Sequence, residues 1–227
     1  PYKKNIKSIT MPDTVRYLGT AAFAYTTSLE TIHLSNQLVS LRNYTFLGCK
    51  NLRKIDTSAK VKVEAKEAFT GCSKLAGLVY ITKHLEGDTV SFSNNMVIDL
   101  TEKDLVQVMP DAKKITIPKN VENIEAAAFV NTNIKSVKVA KKNKKFSVHK
   151  RCLYEKKTGE LVYIFGKGNV LKLSAKIKKI SGDVVVTKAK LKKLIISHKV
   201  KRYNNWKKPF VKNNKKIKIY YRGKRVK

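Results

Sequence analysis

A period of 23 residues runs through the first part of the chain and constrains its fold more than any other feature. Three sets of apolar residues recur at this spacing, namely Leu29, Leu52 and Leu75; Ile9, Ile32, Ile55 and Leu78; and Phe23, Phe46 and Phe69. One unit of this length cannot bury its own apolar side, whereas stacked copies bury each set against the next. The spacing therefore predicts a β-rich solenoid of stacked coils. We expect its ladders to bury these residues: Leu29, Ile32, Leu34, Phe46, Leu52, Ile55 and Phe69.

The repeat continues to the end of the chain, although its length varies. The set that begins at Ile9 goes on, in register, at Ile115, Val137, Leu171, Leu194 and Ile217. Phe129 falls at the phenylalanine position, but Val185 and Lys208 replace it further on. We therefore predict a single domain over residues 1–227 with about nine stacked coils, of which two are longer than the usual 22–23 residues.

Each of the two longer coils has a strand pattern of its own. Apolar segments at Met96–Asp99 and Leu105–Pro110 flank a polar turn, and so do the segments Cys152–Glu155 and Leu161–Ile164. Two strands separated by a turn that contains Gly or Asp are typical of a β-hairpin. We expect each long coil to extend the solenoid with such a hairpin.

The apolar–x–apolar centre of each repeat predicts a short strand, in which the middle residue points away from the core. Strands at the same position in successive coils would form one parallel sheet on the concave face and display these middle residues. That column reads Thr10, His33, Asp56, Val79, Thr116, Lys138, Lys172, Ile195 and Lys218.

Positive charge is concentrated in the second half of the chain. Residues 1–111 contain 14 Lys and Arg against 11 Asp and Glu, whereas residues 112–227 contain 35 against 5. The displayed column and its neighbours place lysines on the sheet of this half, and we predict that they bind an anionic ligand: Lys114, Lys138, Lys172, Lys193, Lys216 and Lys218. A lysine-rich composition that merely solvates the surface would give the same pattern, so both interpretations stay open.

Aromatic residues accompany the cations near the end of the chain. Tyr203, Trp206, Phe210, Tyr220 and Tyr221 lie among lysines and arginines, a mixture that proteins binding single-stranded nucleic acid also use. Tyr203 and Trp206 fall where ladder residues are expected, which favours a place in the core. Nucleic acid is therefore the less favoured partner.

Nothing in the sequence predicts an enzyme, a metal site or a cofactor. Cys49 and Cys72 share one repeat position, three residues after the phenylalanine, so we expect them to be buried and reduced. Cys152 lies near His149 without a third group to orient a thiol–base pair. The four histidines are dispersed and no paired carboxylates stand out. The segment 166–168, Gly-Lys-Gly, lacks the rest of a phosphate-binding loop and is interpreted as a turn.

The repeat resembles that of the BspA-like leucine-rich-repeat family of bacterial surface proteins. Ile115-Thr116-Ile117-Pro118, followed by Val121, Ile124 and Ala128-Phe129, matches its I-x-I-P-x-x-V-x-x-I-x-x-x-A-F signature, and Phe46-Leu47-Gly48-Cys49 matches its A-F-x-x-C segment. The resemblance implies an extracellular or cell-surface adhesion module that binds a host or microbial surface protein. An attachment module for anionic polysaccharide or teichoic acid is the alternative. No apolar run reaches the 18 residues of a membrane span.

Overall fold

The computed structural model describes residues 5–65, 67–81, 87–180, 185–186, 191–202, 206–208, 210 and 215–227. Among them it contains one helix, α1 (Ala76–Ile81), and many short strands. The strands are β1 (Ser8–Thr10), β2 (Thr31–His33), β3 (Ser40–Leu41), β4 (Lys54–Asp56), β5 (Lys60–Val63), β6 (Thr89–Ser93), β7 (Met96–Asp99), β8 (Asp104–Val108), β9 (Lys114–Ile117), β10 (Asn123–Ile124), β11 (Ser136–Val139), β12 (Phe146–His149), β13 (Cys152–Glu155), β14 (Leu161–Ile164), β15 (Val170–Lys172), β16 (Lys179–Ile180), β17 (Val185–Val186), β18 (Lys193–Ile196), β19 (Lys201–Arg202), β20 (Lys218–Tyr221) and β21 (Lys224–Arg225).

The chain forms two compact units. The first unit comprises Pro1–Ala112 and Val121–Thr132, and the second unit comprises Lys113–Asn120 and Asn133–Lys227. The fold is the predicted β-solenoid, with about eight turns instead of nine.

In the first unit, the predicted repeat register is confirmed. Strands β1, β2 and β4 form a parallel sheet in which Ile9 pairs with Ile32, and Ile32 with Ile55. The rings of Phe23, Phe46 and Phe69 stack with successive centroids 5.6 Å apart. All seven residues expected in the ladders are buried. The apolar column therefore forms a continuous core, since each coil covers the apolar side of the next.

The first insertion builds the second sheet of this unit, whose strand order is β10-β8-β7-β6-β5-β3. Strands β7 and β8 form the predicted antiparallel hairpin. Strand β6 adds Phe92, whose ring lies 6.2 Å from that of Phe69. The insertion thus shares the core of the repeats.

A strand was expected at Leu78, but helix α1 lies there, so the prediction is wrong at this coil. The spacing of Leu75, Leu78 and Val79 also places them on one side of a helix, and Leu75 and Leu78 are fully buried. Gly77 N donates to Gln107 Oε1 at 2.6 Å. A Cβ on Gly77 would lie 2.5 Å from Val106 O, so only glycine allows the helix to approach β8 this closely. Val79 therefore belongs to a helix and not to the displayed column.

The second unit contains the remaining strands, arranged in several sheets. Strands β9 and β11 are parallel, and β15, β18 and β20 form a second parallel group, to which β21 adds an antiparallel strand. The other two sheets have the strand orders β12-β13-β14-β17 and β16-β19. The hairpin predicted for the second long coil is confirmed as β13 and β14. The described strands at the centres of the repeats thus form three parallel sheets, β1-β2-β4, β9-β11 and β15-β18-β20, instead of the one predicted.

The last coil is two residues longer than predicted. Leu194 pairs with Ile219, and Lys193 pairs with Lys218, whereas the sequence had aligned Leu194 with Ile217. A shift of two residues keeps every side chain on its predicted face, because strand side chains alternate. The same shift is seen in the core: Lys208 is exposed, and Phe210 is buried. Tyr203 lies outside the described residues.

Candidate anion-binding face

The sheet formed by β15, β18, β20 and β21 displays two rows of outward side chains. Alternate residues of these strands are buried, so the others point away from the core. One row contains Val170, Lys193 and Lys218, which are cross-strand neighbours. The second row contains Lys172, Ile195, Tyr220 and Arg225. We call these seven side chains the basic face.

Lysines meet directly on this surface. Lys193 and Lys218 occupy opposite positions on adjacent parallel strands, which brings two like charges to neighbouring sites. Lys193 Nζ lies 4.6 Å from the centroid of the Tyr220 ring, a distance typical of a cation–π interaction. Lys218 and Lys172 are exposed, whereas Lys193 is half-buried. Tyr220 therefore moderates the repulsion at Lys193 but leaves the lysine pair without a carboxylate.

The other predicted lysines lie elsewhere in the second unit. Lys114 is paired with Ser136, and Lys138 with Thr116, on the separate β9–β11 sheet. Both lysines are exposed. Lys216 precedes β20 and is exposed as well. The six predicted residues thus fall into three places: three on the basic face, two on the β9–β11 sheet, and one beside β20.

The described acidic residues do not neutralise the basic face. Within the described ranges, no salt bridge involves Lys172, Lys193, Lys218 or Arg225. The described salt bridge of the second unit joins Lys179 of β16 to Glu160, the residue before β14, at 2.6 Å, and so lies outside this sheet. A surface that holds several cations on rigid strands attracts anions over a distance of about one Debye length, roughly 8 Å at physiological salt.

Sequence reasoning had not placed Arg225 on this face. After β20 the chain reverses at Arg222 and Gly223, which have φ values of 53° and 77°. Two consecutive residues at positive φ are typical of a tight hairpin turn, and the Arg-Gly pair between Tyr221 and Lys224 is the signal that could have revealed it. Strand β21 then pairs Arg225 with Tyr220. The turn thus adds β21 as the fourth strand of the sheet that displays the basic face.

The displayed column of the first unit has a different character. Thr10, His33 and Asp56 are aligned across β1, β2 and β4, and His33 Nδ1 lies 3.4 Å from Asp56 Oδ2. Arg53 forms ion pairs with both Glu30 and Asp111. The sheet of the first unit is therefore mixed and internally paired, unlike the basic face.

The cysteines are buried in the core. Cys49 Sγ donates to Phe23 O at 3.0 Å, and Cys72 Sγ donates in the same way to Phe46 O. Burial raises the pKa of the Cys49 thiol to about 11 and that of the Cys152 thiol to about 12, and it also raises the pKa of Cys72. All three cysteines are free. His149 is opposite Cys152 in the β12–β13 pair, yet a thiol with this pKa is not a nucleophile at neutral pH.

Neither a metal-binding cluster nor a membrane-spanning helix occurs among the described residues. No group of three or more His, Cys, Asp and Glu side chains there could hold a metal ion. None of the described helices has the length and hydropathy to cross a membrane.

Comparison with solved structures found two leucine-rich-repeat proteins. The chain resembles a leucine rich cell surface protein from Faecalibacterium prausnitzii A2-165 at 18% identity, with a TM-score of 0.50 over 88% of this chain and 57% of that one. It also resembles a leucine-rich repeat protein from Eubacterium ventriosum ATCC 27560 at 14% identity, with a TM-score of 0.46 over 95% of this chain and 60% of the other. The chain thus spans less than two thirds of either protein. No curated protein matches its sequence.

The repeats themselves identify the family. The sequence profile described as "BspA type Leucine rich repeat region" matches residues 2–111 and 108–158, in six copies. These ranges include the first long coil, with helix α1 and the β7–β8 hairpin, and extend into the second. The chain therefore belongs to the BspA-type leucine-rich-repeat family.

Proposed function

We propose that this chain is a non-catalytic binding module displayed on a bacterial cell surface or secreted from the cell, and that the basic face contacts an anionic partner. Family membership supports a binding scaffold, because solenoids of this kind recognise partners through extended surfaces. The description of the Faecalibacterium protein as a cell surface protein supports the location. The partner is a surface protein with an acidic patch or an anionic polymer such as teichoic acid or a glycosaminoglycan.

The observation that carries the proposal is the direct pairing of Lys193 with Lys218. Like charges opposite each other destabilise a sheet, and the effect grows when no counter-ion is near. Lys172 and Arg225 add charge along the adjacent row. An anion that spans these residues would screen the repulsion between the lysines. Relief of this repulsion would therefore contribute to the free energy of binding.

Apolar groups on the basic face support a partner that is more than a point charge. Val170 is 55% exposed, and Ile195 and Tyr220 are half-buried between the cations. Such side chains contact the uncharged parts of a ligand, for example a sugar ring or the aliphatic portion of a protein side chain. The alternation of cation and apolar residue thus fits a polymer or protein that carries its charges at intervals.

Attachment of a larger protein to anionic wall polymer is the second interpretation, and the basic face would serve it equally well. Binding to nucleic acid is the third. Trp206 and Phe210 are buried in the core of the second unit, so they are not available to stack on bases. Their burial argues against nucleic acid as the physiological partner.

The test compares two variants that lose the same charge. The face variant carries Lys172→Glu, Lys218→Glu and Arg225→Glu, and the control carries Lys141→Glu, Lys157→Glu and Lys199→Glu, three exposed positions of the same unit. Affinity for heparin, purified teichoic acid and single-stranded DNA would be measured at several salt concentrations. If the basic face is the site, the face variant should lose about tenfold more affinity than the control for at least one of the first two polymers. Equal losses in both variants would show that binding reflects only global charge.

A further inference from the structure

Arg151 lies in the tight turn between β12 and β13, outside the basic face. Lys150, the residue before it, has a φ of 54°. Arg151 Nε donates to Phe165 O at 3.0 Å, and Phe165 N donates to Arg151 O at 3.1 Å. These two hydrogen bonds hold the arginine against the segment that follows β14, which is the Gly166-Lys167-Gly168 segment that the sequence had marked as a turn.

One glycine of this segment makes room for the guanidinium, and the other makes room for a backbone carbonyl. Gly166 and Gly168 have φ values of 75° and 144°, where residues with a side chain are strained. A Cβ on Gly168 would overlap Arg151 Nη1, and one on Gly166 would lie 3.1 Å from Lys135 O. A side chain at residue 168 would therefore displace the guanidinium.

The guanidinium is not satisfied by the protein. Arg151 Nη2 is shielded from solvent and has no hydrogen-bond partner. Burial lowers the pKa of the Arg151 guanidinium, and no described carboxylate forms a salt bridge with it. Arginine nevertheless stays protonated at neutral pH. A buried cation without an acceptor is unfavourable, so this arrangement persists at a cost in stability.

Further donors lie beside it. In the described part of the chain, the backbone N–H groups of Lys167 and Gly168 donate no hydrogen bond, and both residues are exposed. The Lys167 side chain adds a second positive charge. Neighbouring backbone N–H groups in a glycine loop, together with a guanidinium, are the groups that bind sulfate, phosphate and carboxylate oxygens in proteins.

We infer that Arg151 and the loop at residues 166–168 form a binding site for a single tetrahedral oxyanion, a sulfate or phosphate group. Nη2 would donate to one oxygen of the anion, and the backbone N–H groups of Lys167 and Gly168 would donate to others. Because Nη2 is shielded, the exposed residues Lys167 and Gly168 must shift to admit the ligand, and the glycine gives the backbone this freedom. The group is either a free ion or a substituent on a larger polymer. The inference does not depend on the function proposed for the basic face.

The experiment separates this site from the general attraction of a basic protein. The full chain, labelled with ¹⁵N, would be titrated with sodium sulfate and with sodium phosphate at constant ionic strength, and the amide signals of Lys167 and Gly168 would be followed. Three variants accompany the wild type: Arg151→Lys, Gly168→Ala and Lys157→Gln, the last at an exposed lysine of the β13–β14 turn. Arg151→Lys keeps the net charge but loses the forked donor, whereas Lys157→Gln loses a charge but keeps the site.

We expect saturable shifts in the wild type, at least about tenfold weaker binding in Arg151→Lys and Gly168→Ala, and unchanged binding in Lys157→Gln. Attraction by net charge alone would give the reverse order, with Arg151→Lys unaffected and Lys157→Gln weakened, and that result would overturn the inference. So would an absence of saturation with every ligand. If either Arg151→Lys or Gly168→Ala does not fold, the other variant still tests the site, because Arg151 and Gly168 contact each other.

A third arm identifies the source of the anion. Heparin oligosaccharide and teichoic acid fragments would replace the inorganic ions in the same titration. Shifts that depend on Arg151 with the inorganic ions support a site for a free anion, and shifts that depend on Arg151 only with the oligosaccharide or the fragments support a site for a polymer substituent. Loss of polymer binding in the basic-face variant, with the Arg151-dependent shifts retained, would show that the two sites are independent.

Discussion

The ring of Phe92 lies 6.2 Å from that of Phe69, tilted by 48°, and so extends the phenylalanine ladder into the inserted β6 strand. The three preceding rings belong to the repeat, and they stack at 5.6 Å with interplanar angles of 11° and 14°. Phe92 follows Phe69 by the same 23 residues that separate the repeat phenylalanines, and it is fully buried. The first long coil is therefore anchored in the same core that stabilises the regular coils.

Phe46 is the most sensitive position of this ladder, because it is fully buried between two stacked rings. Replacing it with alanine should cost about 3–5 kcal/mol, since a cavity opens that neighbouring coils cannot fill. Equilibrium unfolding in urea measures this loss. Phe23→Ala is the matched control, and it should cost less because Phe23 is only half-buried. An unchanged urea midpoint for Phe46→Ala would contradict the ladder.

Gly71 is required by both its conformation and its neighbour. Its φ is 79°, and a Cβ there would lie 3.1 Å from Gly48 Cα in the adjacent coil. Gly71→Ala should therefore lower the free energy of unfolding by at least about 1–2 kcal/mol. Gly19→Ala should change it by about 0.5 kcal/mol or less, since nothing lies within 4 Å of that Cβ and the φ is not positive. Similar effects of the two substitutions in urea unfolding would exclude this explanation.

The thiols should be unreactive in the native protein. Burial raises the pKa of Cys49 to about 11, and Cys72 is equally enclosed, so almost no thiolate is present at neutral pH. We expect a bulky maleimide to label neither residue within the time that labels the urea-unfolded chain completely. Mass spectrometry of tryptic peptides gives the extent at each cysteine. Fast labelling of either thiol under native conditions would show that the core opens at that coil.

Asp88 and Asp13 should affect stability in opposite directions as pH changes. Burial, followed by the charge of Asp99, raises the pKa of Asp88 above its usual value of 3.8, so the folded state favours the protonated form. The contribution of Asp88 to stability is thus present below pH 3.8 and is lost as pH rises through the folded pKa. Hydrogen bonds from Asn36 lower the pKa of Asp13, whose contribution is present above pH 3.8 and is lost as pH falls.

Asparagine substitutions test this difference by thermal unfolding between pH 3 and pH 7. Asp88→Asn should raise the melting temperature at pH 7 and have little effect at the lowest pH. Asp13→Asn should lower the melting temperature at pH 7, because it removes a charged acceptor for the Asn36 backbone and side chain. Shifts of the same sign for both variants at pH 7 would refute the assignment.

The ladders could be predicted from the sequence because each coil meets an equivalent coil. Ile32 pairs with Ile9 on one side and with Ile55 on the other, so the 23-residue spacing specifies its burial. Helix α1 could not be predicted in the same way. Leu75 and Leu78 satisfy the repeat and the helical spacing alike, and the helix is favoured by contact with Gln107 and Val106, which follow much later in the chain.

The basic face could be predicted from the sequence only in part. Because side chains alternate along a strand, the sequence placed Lys172 and Lys218 on the outward side. The two-residue shift before β20 leaves them on that side. The two-residue shift places Lys218 opposite Lys193. A constant 23-residue period would have placed Lys216 there. The site at Arg151 left no periodic signal, because it depends on turn geometry and on the backbone of a glycine loop.

The turn at Arg222 and Gly223 has a consequence for self-association. Strand β21 returns antiparallel along β20 and takes up hydrogen bonds that an open strand would offer to any other chain. The strand that now lies outermost is two residues long and consists of Lys224 and Arg225, both exposed. Short, charged outer strands disfavour the strand-to-strand pairing that turns stacked repeats into fibres. Whatever segment follows, another coil could pair with β20 on this side only after displacing β21, so the sheet is protected from open-ended growth in this direction.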